Sequence, residues 1–157
     1  MKTSLENFIL KITGTFFFIG YLPFIPGTFG SLAGVGLFIL LKAKALNCFI
    51  AFLALLAAGL LVSGRLEKVL NKKDPSCIVI DEVCGMLIAL SFMPLDLRII
   101  ILGFLFFRIL DTLKPYPASG LQNIKGSLGV LSDDIVAGVY TNIILQLILR
   151  FSSSSAS

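Results

Sequence analysis

No charged residue falls between Lys11 and Lys42, none between Lys44 and Arg65, and none between Asp134 and Arg150. Uncharged runs of about 30, 20 and 15 residues, set against the ~20 residues a helix needs to cross a bilayer, constrain this chain more than any other feature. Pro23 and Pro26-Gly27 interrupt the first run, so its helix is expected to begin near Thr28, with Phe16 to Phe24 lying in the membrane interface. The third run is short for a span and reaches adequate length only as a helix from Asp133 to Phe151. Two shorter apolar stretches between Val83 and Phe107 are separated by Pro94-Leu95-Asp96 and Arg98. They read either as a hairpin dipping into the bilayer or as two helices with polar ends at its edge. The second is preferred because it gives the acids a common side. Of the 157 residues 57% are hydrophobic and only 14% charged, against roughly 25% charged in a typical soluble domain. A domain this small leaves too much surface exposed to hide so many apolar groups from water, and lipid is the solvent that suits them. The expected fold is an all-α, small polytopic membrane helical bundle, one domain over 1–151, with helices near 28–41, 46–63, 81–94, 97–113 and 133–151.

At the N-terminus, Leu5, Phe8, Ile9 and Ile12 recur at helical spacing between Lys2 and Lys11, which fits an interfacial helix better than a cleaved signal. Ser152 to Ser157 is low-complexity and expected to be disordered. Alternating the helices puts Lys2, Lys11, Arg65, Lys68, Lys72, Lys73, Arg108, Lys114 and Lys125 on one side, and Lys42, Lys44, Arg98 and Arg150 on the other. By the positive-inside rule the first side is cytoplasmic. The net charge of +4 then reflects loops facing anionic headgroups rather than nucleic acid. The chain has no His, which excludes Ser-His-Asp and Cys-His catalysis, a phosphohistidine and a His-ligated zinc. Cys48, Cys77 and Cys84 make no CxxC pair and read as small hydrophobes in a reducing setting.

Asp81 and Glu82 open one expected helix, Asp111 lies near the end of the next, and Asp133 and Asp134 open the last. Five of the nine acids thus fall at one depth, the cytoplasmic edge. Carboxylates beside lipid are costly and mark function when they converge. Acids at helix starts also cap free N–H groups and complement the dipole, and for Asp133 alone the two readings weigh equally. As a set without His or Cys, the acids point to a hard cation, magnesium or manganese rather than zinc.

Arg108, Asp111 and Lys114 recur at i, i+3 and i+6, one helix face, before Pro115 and Pro117 end the helix. They form either a phosphate clamp beside a metal-binding acid or an intrahelical salt-bridge ladder. Pro26-Gly27-Thr28-Phe29-Gly30-Ser31, followed by Gly34, runs from a turn into a helix and offers N–H groups and hydroxyls to a phosphate. Gly30 and Gly34 equally suit a close helix-packing face, and both readings can hold.

Four motifs occur in order: Pro26-Gly27-Thr28-x-Gly30-Ser31, Ile80-Asp81-Glu82-x-x-Gly85-Met86, Arg108-x-x-Asp111-x-x-Lys114-Pro115-x-Pro117 and Gly129-x-x-x-Asp133-Asp134-x-x-Ala137-Gly138. Together they resemble the phosphatidylglycerophosphatase A family over nearly the whole chain. The resemblance implies an all-helical, magnesium-dependent lipid phosphatase of the bacterial inner membrane. Its substrate would be phosphatidylglycerophosphate, and its products phosphatidylglycerol and inorganic phosphate. Soluble relatives carry similar acid motifs, and the apolar content here favours the integral-membrane branch. The residues agree with that chemistry. Asp81, Glu82, Asp111, Asp133 and Asp134 are the expected catalytic acids, with Asp81, Glu82, Asp111 and Asp134 the expected Mg2+ ligands. Arg108 and Lys114 would hold phosphate oxygens, and Thr28 and Ser31 would add hydrogen bonds. Which acid is nucleophile, base or ligand stays open, with metal-activated water ranked ahead of an aspartyl-phosphate. The rivals are a small ion transporter, which would place acids at the bilayer midplane, and a structural membrane protein.

Overall fold

The computed structural model describes residues 2–73, 75–117, 120 and 126–154. Lys125 and the last tail residues, 155–157, lie outside them. The described chain is all-α: α1 (Lys2–Gly14), a 3-10 turn (Ile19–Tyr21), α2 (Pro26–Leu40), α3 (Ala45–Leu70), α4 (Ile80–Leu90), α5 (Leu97–Leu113) and α6 (Ser127–Ser154).

The ends of these helices follow from local chemistry, and three of the helices depart from their expected bounds. Pro26 occupies the first helical position of α2, where its fixed φ suits the helix and its missing N–H costs nothing. α3 does not stop at residue 63 but carries Arg65, Glu67 and Lys68 in its final turns. It ends where left-handed Asn71 (φ 51) turns its N–H back onto the Glu67 and Lys68 carbonyls. α4 ends at Leu90, short of residue 94, because Ser91 takes an extended backbone (φ −57, ψ 136). Asp96 caps α5 by accepting the Arg98 N–H at 2.7 Å. α6 begins at Ser127 rather than Asp133, since left-handed Gly126 (φ 81) breaks the chain just before it. Asp133 and Asp134 therefore stand inside the helix, and the capping explanation for Asp133 falls away. The helix also continues through Ser154, past its expected end at Phe151.

α4 is the centre of the molecule. Nine of its 11 residues are buried, because α2, α3, α5 and α6 all pack against it. Gly30 and Gly34 let α2 approach closely: a Cβ at those positions would lie 2.8 Å from Val79 Cβ and 2.7 Å from Met86 Cβ. Gly85 does the same for α6, since a Cβ there would lie 2.6 Å from the Asp134 carbonyl oxygen. Phe38, Leu66, Met86, Leu87, Leu90, Phe107, Leu131 and Leu145 fill the space between the helices. At the far end of α4, the Asn142 side-chain amide donates to the carbonyls of Ile88, Ala89 and Ser91 (3.1, 3.0 and 2.7 Å). The last carbonyls of a helix lack i+4 partners; of these three, Ile88 also accepts the Ser91 N–H at 3.1 Å.

Two helices, α3 and α6, are long and apolar enough to cross a membrane. α2 has 15 residues and α4 has 11, about 22 and 16 Å of helix against a hydrocarbon core of ~30 Å. α5 is interrupted by Arg98, Arg108 and Asp111. Of the four to five membrane-embedded helices expected, two are thus long and apolar enough to span alone, and α4 is sheathed by protein. Exposed apolar residues run down the outer faces of the long helices, as Leu53, Leu60 and Leu61 on α3 and Val139, Ile143 and Leu147 on α6. In α1, Leu5, Phe8 and Ile9 are exposed together while Gly14 packs on Leu66 of α3. Phe17, Phe18, Tyr21, Leu22 and Phe24 follow as an exposed aromatic-rich turn.

Candidate active site

Consecutive helices from α2 to α6 run in opposite directions, so the starts of α2, α4 and α6 gather with the ends of α3 and α5. The Gly64 N–H of α3 donates to Ser127 Oγ of α6 at 2.8 Å, which ties two of these ends together. Between them opens a cleft of about 310 Å³, lined by Asp81, Glu82, Asp111, Asp133, Asp134, Arg108 and Lys114, with Ile25, Pro26, Gly27, Ser76, Ile78 and Val130.

Asp81 and Glu82 come from the first turn of α4, and Asp134 from α6 where Gly85 permits close approach. One carboxylate oxygen from each lies within 4.8 Å of the others. Asp81 is 5% and Asp134 4% exposed, and Asp81 Oδ1 accepts the Glu82 N–H at 3.1 Å. Among the described residues, Glu82 Oε2, Asp133 Oδ1 and Asp134 Oδ1 are buried without a hydrogen-bond partner. Three orphaned carboxylate oxygens on residues of one cleft are costly unless a cation satisfies them. An all-oxygen donor set fits a hard divalent ion.

Asp111, expected among the catalytic and Mg2+-binding acids, pairs with Arg108. It lines the cleft but is not in the three-carboxylate group; its Oδ2 takes the Arg108 Nη1 hydrogen at 2.7 Å. Arg108 Nη1 also donates to Ser31 Oγ at 3.4 Å, and Ser31 Oγ donates to the Gly27 carbonyl at 3.0 Å. Ser31 is fully buried behind the guanidinium, so it orients Arg108 and does not reach the cleft. Thr28 is not among the lining residues either. The Thr28 and Phe29 N–H groups turn to the Ile25 carbonyl.

The ladder reading of Arg108, Asp111 and Lys114 holds only for its first pair. Lys114 caps α5 in the left-handed region (φ 45, ψ 60), which swings its side chain off the helix face and onto Asp133 Oδ2 of α6. Burial alone would disfavour the ammonium. The hydrogen bond to Asp133 and the nearby charges of Asp133, Asp134 and Asp111 outweigh it and hold Lys114 above its ordinary pKa. Lys114 is therefore a cation across the neutral range.

Ser76 is a cleft hydroxyl that the sequence reading missed. It sits in the turn closed by the Ile78 N–H on the Pro75 carbonyl (2.8 Å), and neither periodicity nor charge marks that segment. Gly27 was legible as part of the Pro-Gly turn, but its contact was not: a Cβ there would lie 2.5 Å from Glu82 Oε1. Cys48 and Cys84 are buried. Burial also pushes the Cys77 thiol up against the opposing pull of its backbone hydrogen bond, Lys72 and Lys11. Such a thiol is a poor nucleophile.

The fold and site define an apolar helical bundle with an acidic cleft beside two cations, and comparison with known sequences names its family. The family model of phosphatidylglycerophosphatase A matches residues 12–149. The chain belongs to the phosphatidylglycerophosphatase A family. It is 36% identical over 132 residues to the phosphatidylglycerophosphatase A of Escherichia coli, covering 82% of this chain and 77% of that protein. With the Haemophilus influenzae protein of the same name it shares 34% identity over 124 residues, 76% of each. A Bacteroides thetaiotaomicron protein, provisionally named a phosphatidylinositol-3-phosphatase, is 37% identical over 150 residues, 90% of this chain and 94% of that one. No solved structure matches the chain.

Proposed function

We propose that the chain is a magnesium-dependent phosphomonoesterase of the bacterial inner membrane. It would hydrolyse phosphatidylglycerophosphate to phosphatidylglycerol and inorganic phosphate, with its cleft at the cytoplasmic face. The observation that carries this reading is the set of orphaned, buried carboxylate oxygens of Glu82, Asp133 and Asp134 lying beside two cations, Arg108 and Lys114. Carboxylates alone would repel a phosphate dianion. Asp81, Glu82 and Asp134 would hold the ion, which when bound neutralises the phosphate and polarises both the phosphoryl group and a water.

The chain's own groups divide the remaining work. Arg108, oriented by Asp111 and Ser31, presents its guanidinium to the phosphoryl oxygens, where negative charge builds in the transition state. Water attacks phosphorus, a cleft carboxylate takes its proton, and the bond from phosphorus to the glycerol oxygen breaks. Lys114, held charged at Nζ by Asp133, gives a proton to the departing alkoxide. The Bacteroides thetaiotaomicron relative supports a second substrate, phosphatidylinositol 3-phosphate, which presents the same phosphomonoester on another headgroup.

The test is release of inorganic phosphate by purified protein from each lipid, with magnesium and with a chelator. Magnesium-dependent release from phosphatidylglycerophosphate is expected. Equal turnover in metal-free buffer refutes the metal reading, and faster turnover of phosphatidylinositol 3-phosphate replaces the substrate.

A further inference from the structure

Arg108 lines two cavities. One is the acid cleft; the other is a groove of about 350 Å³ along the outer face of α5, walled by Leu105, Ile109, Thr112 and Leu113. The Thr112 hydroxyl donates to the Arg108 carbonyl at 2.8 Å, so its proton is already engaged. The guanidinium is likewise engaged on the cleft side, by Asp111 and Ser31. Away from the cleft, therefore, the groove presents carbon. Leu105, Ile109 and Leu113 are 50, 51 and 71% exposed and continue, at i+4 spacing, a stripe that begins at Leu97 and Ile101.

A phosphate held in the cleft leaves its carbon skeleton to exit past Arg108. A water-soluble phosphomonoester gains nothing from an apolar wall there, whereas a lipid gains with each buried methylene. We propose that this groove receives the proximal part of an acyl chain of the lipid phosphate, and that Leu105 and Ile109 set the preference for lipid over soluble phosphomonoesters. The proposal rests on the lipid-phosphatase reading above. The groove adjoins the cleft across Arg108, which lines both, and that adjacency distinguishes its occupant from bulk lipid on the rest of the helix.

Two measurements test it. The first needs no turnover: a phosphonate analogue of phosphatidylglycerophosphate, carrying a diazirine in one acyl chain, is photolysed with the full-length protein in detergent and magnesium. Label concentrated on residues 105–113 and competed by unlabelled phosphonate is expected; label spread evenly over the exposed faces of α3, α5 and α6 overturns the proposal. The second compares kcat/KM for dioleoyl and dibutyryl substrates. In Leu105→Ala/Ile109→Ala the dioleoyl-to-dibutyryl ratio should fall about tenfold, chiefly through KM, on the scale of lost apolar burial. Ile109→Trp, which fills the groove, should lower it as well. Leu97→Ala/Ile101→Ala, on the same stripe outside the groove, should keep the wild-type ratio. Unchanged ratios in the groove variants, or an equal fall in the Leu97/Ile101 control, would overturn the assignment. Wild-type protein that takes the label at 105–113 yet releases no phosphate from either lipid would instead refute the proposed activity and leave the groove standing.

Discussion

Asp134 is almost wholly buried, and Asp81, Asp111 and Asp133 all bring negative charge toward it. Removing one charge should relax the metal-free protein and disable the loaded one. Asp81→Asn and Asp134→Asn are each expected to lower turnover at least about a hundredfold, the scale for losing a group that holds or serves a catalytic ion. Their melting temperatures in chelator should match or exceed that of the wild type. Rates near normal in both would move the site elsewhere. Lys114 tests a second link, because it is both a cleft cation and the partner of buried Asp133. Lys114→Gln should reduce transition-state stabilisation by roughly 2–4 kcal/mol and, by orphaning Asp133, stability by about 1–3 kcal/mol. Adding Asp133→Asn should restore the melting temperature without restoring the rate. If rate and stability return together, Lys114 is architectural.

At the scale of elements, the α4 helix carries the site at one end and a separate anchorage at the other. Asn142→Leu removes the amide that holds the Ile88, Ala89 and Ser91 carbonyls and should cost about 1–3 kcal/mol. Turnover at low temperature should stay near wild type, because the cleft lies at the opposite end of α4. Gly85→Ala should behave differently. A Cβ there meets the Asp134 carbonyl and the Phe107 ring, so α4 and α6 must part. Overpacking of this kind costs about 1–3 kcal/mol, and the rate should fall further than the stability loss explains, since parting these helices separates Asp81 and Glu82 from Asp134. A wild-type rate in a folded Gly85→Ala protein would mean that the three carboxylates need not act together. Helix interiors were legible from hydrophobic runs and charge gaps, and α5 matches its expected bounds. Three of the misjudged ends were set by backbone conformation: left-handed Asn71 and Gly126 and extended Ser91.

For the molecule as a whole, the apolar outer faces of α3 and α6 predict behaviour that can be checked without an assay. Expressed in a bacterium, the chain should stay with the membrane through an alkaline carbonate wash and come away with detergent. Release by carbonate would mean that those faces are covered by protein. With the thiols buried or held protonated, a variant in which Cys48, Cys77 and Cys84 are all replaced by alanine should keep its activity.

What the sequence determined by itself was composition-level and periodic: an all-α chain, apolar enough for lipid, with acids and bases collected at helix ends near Asp81, Arg108 and Asp133. Those properties depend on residue type and spacing along one helix, and spacing is visible in one dimension. Which carboxylates meet was decided only by the tertiary structure. Glycine contacts at Gly34 and Gly85 set how closely α2 and α6 approach α4, and so draw Asp134 against Asp81 and Glu82. The same packing puts Ser31 behind the Arg108 guanidinium instead of in the cleft, and brings Ser76 to its wall. The left-handed cap at Lys114 turns an expected intrahelical ladder into a bridge to α6. A helical face predicts neighbours within its own helix; partners across helices depend on packing distance and backbone hand, and only the folded molecule supplies those.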